Sequence, residues 1–217
     1  NEINFTTLDY RLIQLKTVTA TDIGIFNATL NGEVLDNGGG NILERGFLMS
    51  TSPEPSTTDM KFASSQNVLG TLKTVVTNLE ENTTYYFRAY AKNEKGYSLG
   101  EVLRFRTLDI NYPEVITMPV TNISYTSATF EAEVKNDGGG LIIERGFCFS
   151  TQSNPTIQDN KYLISGDIGV FKLVMTKLQS GTTYYVRSFA KNKKGLQYGG
   201  QIIFTTPSVP PDRKSTR

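Results

Sequence analysis

The stretch Thr83-Thr84-Tyr85-Tyr86-Phe87-Arg88-Ala89-Tyr90-Ala91-Lys92-Asn93 decides the fold, and the chain carries it twice. Its second form is Thr182-Thr183-Tyr184-Tyr185-Val186-Arg187-Ser188-Phe189-Ala190-Lys191-Asn192. Tyr85, Phe87, Ala89 and Ala91 alternate with Tyr86, Arg88 and Lys92. A period of two sends successive side chains to opposite faces, so this is a strand with one face buried. Outward from it the same alternation recurs. Ala128, Phe130, Ala132 and Val134 alternate with Thr129, Glu131 and Glu133, and Phe171, Leu173 and Met175 with Lys172, Val174 and Thr176. In the first half the matching positions are Leu30 and Val34, then Leu72 and Val76. No window carries a helical stripe. Glycine-rich turns at 37–40 and 137–140 join the second and third strands of each half. About seven short strands per half, with turn signals roughly every 8–12 residues, predict a β-sandwich.

The halves are copies of one unit. Asp36-Asn37-Gly38-Gly39-Gly40, Glu44-Arg45-Gly46-Phe47 and Ser50-Thr51 return as Asn136-Asp137-Gly138-Gly139-Gly140, Glu144-Arg145-Gly146-Phe147 and Ser150-Thr151. A period near 100 residues is too long for a solenoid and matches one whole sandwich domain. The expected organisation is therefore a domain over 1–108, a second over 109–206, and a Pro-rich linker or tail over 207–217. Leu108-Asp109-Ile110-Asn111 reads as the short link between domains.

Composition excludes several classes of function. The chain of 217 residues has a net charge of +1, with 10 basic and 12 acidic side chains in 1–107 and 9 and 8 in 108–206. Neither half is a basic surface for nucleic acid. No apolar run approaches the roughly 18 residues that span a bilayer. Histidine is absent, which removes the commonest general base and metal ligand. The single cysteine, Cys148, forms no intramolecular disulfide and no Cys-rich zinc site. Its alternation with Phe147 and Phe149 predicts a small outer-face residue. Residue 1 is not Met, so any targeting segment is expected upstream.

Leu79, Thr83, Tyr85, Phe87, Ala91, Asn93 and Gly96, and again Leu178, Thr182, Tyr184, Val186, Ala190, Asn192 and Gly195, resemble the fibronectin type III pattern around its sixth strand. The resemblance covers nearly the whole chain. It implies an all-β fold of two tandem immunoglobulin-like sandwiches, with Tyr85 and Tyr184 as tyrosine corners whose hydroxyls meet upstream backbone. The Glu-Arg-Gly-Phe and Ser-Thr segments resemble a variant found in bacterial cell-surface proteins and lipoproteins. One departure is the absence of Trp; Leu30 and Phe130 stand where many relatives have it on the second strand.

Several constellations then ask for a reading. Glu44 with Arg88, and Glu144 with Arg187, are expected as cross-strand ion pairs on a solvated sheet face, worth under about 1 kcal/mol. Gly46 and Gly146 are expected to let Tyr86 or Tyr90, and Tyr185, lie flat over the neighbouring strand. The Gly-rich turns lack the Lys-Ser/Thr and helix of a phosphate loop. Asp36, Asn37, Asn136 and Asp137 offer one carboxylate per loop, a weak calcium site that turn chemistry explains equally well. No Ser has a His base. Asn-x-Ser/Thr sequons begin at Asn4, Asn27, Asn82 and Asn122, and Arg-Gly-Asp does not occur. The exposed tyrosines Tyr97 and Tyr198 are the candidate ligand contacts.

The expectation that follows is a non-catalytic interaction or spacer module, extracellular or at the cell surface, of a bacterial surface protein. It needs no cofactor. Its partner would be a protein or glycan at the cell surface, not nucleic acid, and membrane attachment would come only from an upstream anchor. The alternatives are an accessory carbohydrate-binding region of a larger surface glycosidase, or a protein-binding adhesin or receptor.

Overall fold

The computed structural model describes residues 9–210; the sequon at Asn4 and the end of the Pro-rich tail lie outside them. The chain divides into two units, the first ending at Asp109 and the second beginning at Ile110. No helix among the described residues is long and apolar enough to cross a membrane.

The first unit runs β1 (Gln14–Thr21), β2 (Ala28–Asp36), β3 (Glu44–Ser50), β4 (Met60–Ala63), β5 (Gly70–Val76), β6 (Thr84–Asn93), β7 (Gly96–Leu99) and β8 (Leu103–Arg106). One sheet has the order β1-β2-β5; the other has β4-β3-β6-β7, with β8 also on β6. All pairings are antiparallel. Strands β7 and β8 lie along the same edge of β6, a single edge strand interrupted at Gly100. The second unit repeats the plan with β9 (Glu114–Thr117), β10 (Ser127–Asn136), β11 (Glu144–Ser150), β12 (Asn160–Leu163), β13 (Gly169–Thr176), β14 (Thr183–Lys191), β15 (Leu196–Tyr198) and β16 (Ile202–Thr205). Its sheets are β9-β10-β13 and β12-β11-β14-β15, with β16 on β14. The seven-stranded sandwich and its doubling are thus as the alternation predicts.

The two sheets of each unit press their period-two apolar rows together. In the first, Ala28, Leu30, Leu72 and Val76 of one sheet meet Phe47, Met49, Tyr85, Phe87 and Phe105 of the other. In the second, Phe130 packs at 5.7 Å from Phe147, 5.9 Å from Phe149 and 5.6 Å from Phe204, ring centre to ring centre. Leu30 and Phe130 are fully buried. They fill the place of the missing Trp with smaller side chains, and in the second unit an aromatic cluster makes up the volume.

The residues on either side of the division belong to the unit that each adjoins. Leu108 N–H donates to Gly24 C=O, Asn111 N–H donates to Gly138 C=O, and Ile110 is buried. Leu108 is therefore bonded into the first unit and Asn111 into the second.

Candidate functional site

Three fixed points hold the loops at the strand ends, and each occurs in both units. The first is the pair of tyrosines. Tyr85 Oη accepts from Glu80 N–H at 2.9 Å, and Tyr184 Oη accepts from Gln179 N–H at 2.9 Å. Both rings are buried against an edge-strand phenylalanine, Phe105 or Phe204. The second is a pair of threonines. Thr107 Oγ1 donates to Glu80 C=O and accepts from Thr83 N–H, while Thr206 Oγ1 does the same with Gln179 and Thr182. The third is a buried asparagine. Asn93 Nδ2 donates to Arg11 C=O and Asn37 C=O; Asn192 Nδ2 donates to Asn111 C=O and Asp137 C=O. The glycine turns are pinned from this side, and Gly38 and Gly138 sit there at φ +71° and +74°. Asp36, Asn37, Asn136 and Asp137 each accept a turn N–H through their side-chain oxygens. Those oxygens serve the turn.

A fourth fixed point was not legible in the sequence. Arg45 and Arg145 are buried although they are charged. Arg45 donates to Gln66 C=O and Gly70 C=O. Arg145 donates to Ser165, Asp167 and Gly169 C=O and lies over the Phe171 ring. Each guanidinium gathers the carbonyls of the loop between the fourth and fifth strands. A five-donor fork suits that task and an ammonium does not.

The outer face of the β4-β3-β6-β7 sheet differs from the expectation of a solvated face. Leu48 and Tyr90 on it are fully buried, and Pro55, in the segment joining β3 and β4, is buried too. That segment carries Glu54 to within 3.8 Å of Arg88. In the second unit Cys148 and Phe189 are fully buried on the matching face, and Cys148 Sγ donates to Pro155 C=O. Cys148 is therefore not a small outer residue. It points away from the main core, as the alternation requires, but into a second small apolar layer under a loop. Burial pushes its thiol up to about 11.

The expected ion pairs are also not formed. Glu44 lies opposite Lys92, and Arg88 opposite Leu48, so the two charges stand four residues apart along the ladder. Glu44 binds Lys61 instead, with Nζ at 2.7 Å and 2.9 Å from its two oxygens. It also accepts from Tyr90 Oη at 2.8 Å and Tyr97 Oη at 3.5 Å. Lys61, followed by the tyrosine hydroxyls, holds the Glu44 carboxyl below its usual range. Burial, then the hydrogen bond to Glu44, raises the Tyr90 phenol. Glu144 pairs with Lys161 at 3.4 Å. Arg88 and Arg187 each donate to a glycine carbonyl in the edge strand, Gly100 and Gly199.

Gly46 and Gly146 make this packing possible. A Cβ there would stand 2.0 Å from Phe62 O and 1.9 Å from Tyr162 O, so only glycine admits the edge strands so close. Opposite them in the ladder lie Tyr90 and Phe189; Tyr86 and Tyr185 lie opposite Ser50 and Ser150. The ring over the glycine in the second unit is therefore Phe189 and not Tyr185.

The candidate ligand tyrosines are placed differently. Tyr97 is 40% exposed, its ring 5.7 Å from Lys61 Nζ and 5.1 Å from Lys92 Nζ. Tyr198 is half-buried; its hydroxyl accepts from Ile157 N–H and the Arg187 guanidinium lies 4.3 Å from its ring centre. The duplicated units diverge on this face. Tyr90 and Tyr97 in the first are Phe189 and Leu196 in the second, by ladder position.

No protein-family model matches the chain. A relative named fibronectin type III domain-containing protein 1, from Margaritifera margaritifera, is 28% identical over 145 residues, which are 64% of this chain and 18% of that protein. The two units are fibronectin type III-like sandwiches. The chain thus matches less than a fifth of its relative's length. Among solved structures, the FN1–FN3 domains of chicken CNTN1 align with 92% of the chain and 70% of their own length, at 14% identity and a TM-score of 0.38. The sensor domain of the anti-sigma factor RsgI4 of Pseudobacteroides cellulosolvens aligns with 46% of the chain and 98% of its own, at 18% identity and a TM-score of 0.38. Within the fibronectin type III-like plan, the shared skeleton is Tyr85/Tyr184, Asn93/Asn192 and Thr107/Thr206. The variable part is the outer face around Tyr97.

Proposed function

We propose that the chain is a non-catalytic interaction module of an extracellular, cell-surface protein of bacterial type, and that the first unit makes contact through the face around Tyr97. One observation carries the reading. The units keep the same internal fixed points but differ at Tyr90/Phe189 and Tyr97/Leu196. A bare spacer needs the fixed points and has no use for the difference. In the first unit an exposed ring stands beside Lys61, Lys92 and Glu44, an aromatic surface ringed by hydrogen-bonding groups. Such a surface suits a sugar ring or a protein loop. Tyr198 is half-buried, with Arg187 over its ring and the Ile157 N–H on its hydroxyl, so that tyrosine offers less surface than Tyr97.

The test is a combined array of glycans and bacterial surface proteins, probed with the whole chain and with Tyr97→Ser. The expected result is saturable binding to one class that weakens about tenfold or more in the variant, as for an aromatic contact at the centre of an interface. Binding to glycans would favour an accessory carbohydrate-binding region, and binding to proteins an adhesin or receptor. No binding to either class would leave only the spacer role. Turnover of any substrate by the purified chain would overturn the non-catalytic reading.

A further inference from the structure

The second sandwich is open between its edge strands β12 and β13. A cavity of about 620 Å³ lies there. Phe149, Leu173, Met175 and Tyr184 contribute its apolar surface, and Tyr162 lines it from β12. Both bounding strands are edges: among the described residues β12 pairs with β11 alone and β13 with β10 alone. Each therefore presents unpaired backbone N–H and C=O groups beside the opening, the arrangement that captures another strand. Val174, which also lines the opening, is 65% exposed.

Charge narrows the occupant. Of the residues lining the cavity one is charged, Lys177, and it makes no ion pair or hydrogen bond among the described residues. It stands at φ +63°, in the left-handed region that disfavours a lysine; the first unit has Asn78 there at φ +58°. Lys177 is exposed beside an opening that mixes apolar side chains with Thr151, Asn160, Thr176 and Gln179, and a carboxylate is the group that would pair with it there. Pairing β13 with β13 of a second copy gives Lys177 no carboxylate, because β13 and the turn after it carry no acid and Lys172 is already held by Glu131 at 3.1 Å. A glycan has no ladder of N–H and C=O groups to offer β13.

We infer that this opening binds an extended, acidic peptide segment of a partner protein, which adds to the β13 edge and places a carboxylate on Lys177. The inference rests on the reading of the chain as an interaction module. The occupant adopts strand geometry, seats alternate apolar side chains on Leu173 and Met175, and spans about 13 Å for each four residues along the edge.

The experiment selects random displayed octapeptides against the whole chain, and in parallel against Lys177→Glu. Enriched peptides are then synthesised and titrated by fluorescence anisotropy. Lys177→Gly serves as the neutral variant, since glycine takes the left-handed conformation without strain. The parent is expected to enrich alternating apolar sequences with an acidic residue, and Lys177→Glu basic ones. Affinity for the acidic peptide falls about tenfold or more in Lys177→Gly, as for a desolvated charge pair that loses one partner. N-methylation of alternate peptide backbones, which keeps every side chain, weakens binding by a similar factor, about tenfold, if a ladder forms. Failure to enrich any sequence overturns the inference. So does enrichment indifferent to Lys177 or to N-methylation, or self-association of the chain that Lys177→Glu abolishes. Loss of array binding in Tyr97→Ser with no peptide selected would sink this inference alone. Silence in both experiments would sink the interaction reading with it.

Discussion

Replacing Tyr184 by Phe removes one oxygen from the second unit and keeps the ring. The ring is 7% exposed and stacks on Phe204 at 5.5 Å, so packing is expected to survive. What is lost is the acceptor of Gln179 N–H at 2.9 Å. Leaving a donor without a partner costs about 1–3 kcal/mol, and the lower part of that range applies because the bond is partly buried. The Gln179 carbonyl stays bound to Thr206 Oγ1, which prevents the loop from turning to find another acceptor. The expected loss is about 1–2 kcal/mol, or roughly 4–16 °C in the melting temperature of one domain of this size. Scanning calorimetry suits the assay, because a change confined to one unit lowers one component of a two-component endotherm. Tyr85→Phe should lower the other component by a similar amount, through Glu80 N–H. Tyr185→Phe is the control: its hydroxyl makes no hydrogen bond among the described residues, and the substitution should leave both components within about 0.5 kcal/mol of the parent. If Tyr184→Phe and Tyr85→Phe melt like the parent and like Tyr185→Phe, the hydroxyl-to-backbone bonds contribute nothing and the corner assignment is wrong.

Three other outcomes follow from the same geometry. Gly46→Ala and Gly146→Ala should each lower the urea midpoint by the equivalent of about 1–3 kcal/mol, because the new Cβ meets the backbone of an edge strand; an unchanged midpoint would show that β4 and β12 move aside freely. Glu44 has its folded pKa below its ordinary 4.5, mainly through Lys61, so its contribution is complete above that value and is lost as pH falls through the folded pKa. Urea midpoints measured from pH 7 down to pH 3 should therefore drop less in Glu44→Gln than in the parent, and parallel profiles would refute the pairing. Cys148, buried and with its thiol pushed up to about 11, should resist a chromogenic disulfide reagent at pH 8 in the native chain and react at once in denaturant. Rapid native labelling would mean that the loop carrying Pro155 lifts off the face.

The doubled alternation around Tyr85 and Tyr184 was enough to define strands, their inward faces and the repetition of the unit, because period-two burial is a local property of the backbone. The positions of the corner tyrosines and of the glycine turns were legible for the same reason: each acts within a few residues of itself. Partnership across strands was not. Glu44 and Arg88 share a face, but register sets them four residues apart along the ladder, and Lys61 from β4 takes the carboxylate. Register is fixed by two whole strands and is not written in either one. The outer face was misread in the same way. Alternation puts Cys148, Phe189, Leu48 and Tyr90 outside the main core, and only the segments carrying Pro55 and Pro155 decide that this outside is covered. The buried Arg45 and Arg145 follow suit, since a guanidinium is tolerated in the interior only where distant loop carbonyls converge on it. Strand identity depended on neighbours in sequence; the partners of Glu44, Glu144, Arg45 and Arg145 depended on neighbours in space, which the tertiary packing alone brings together.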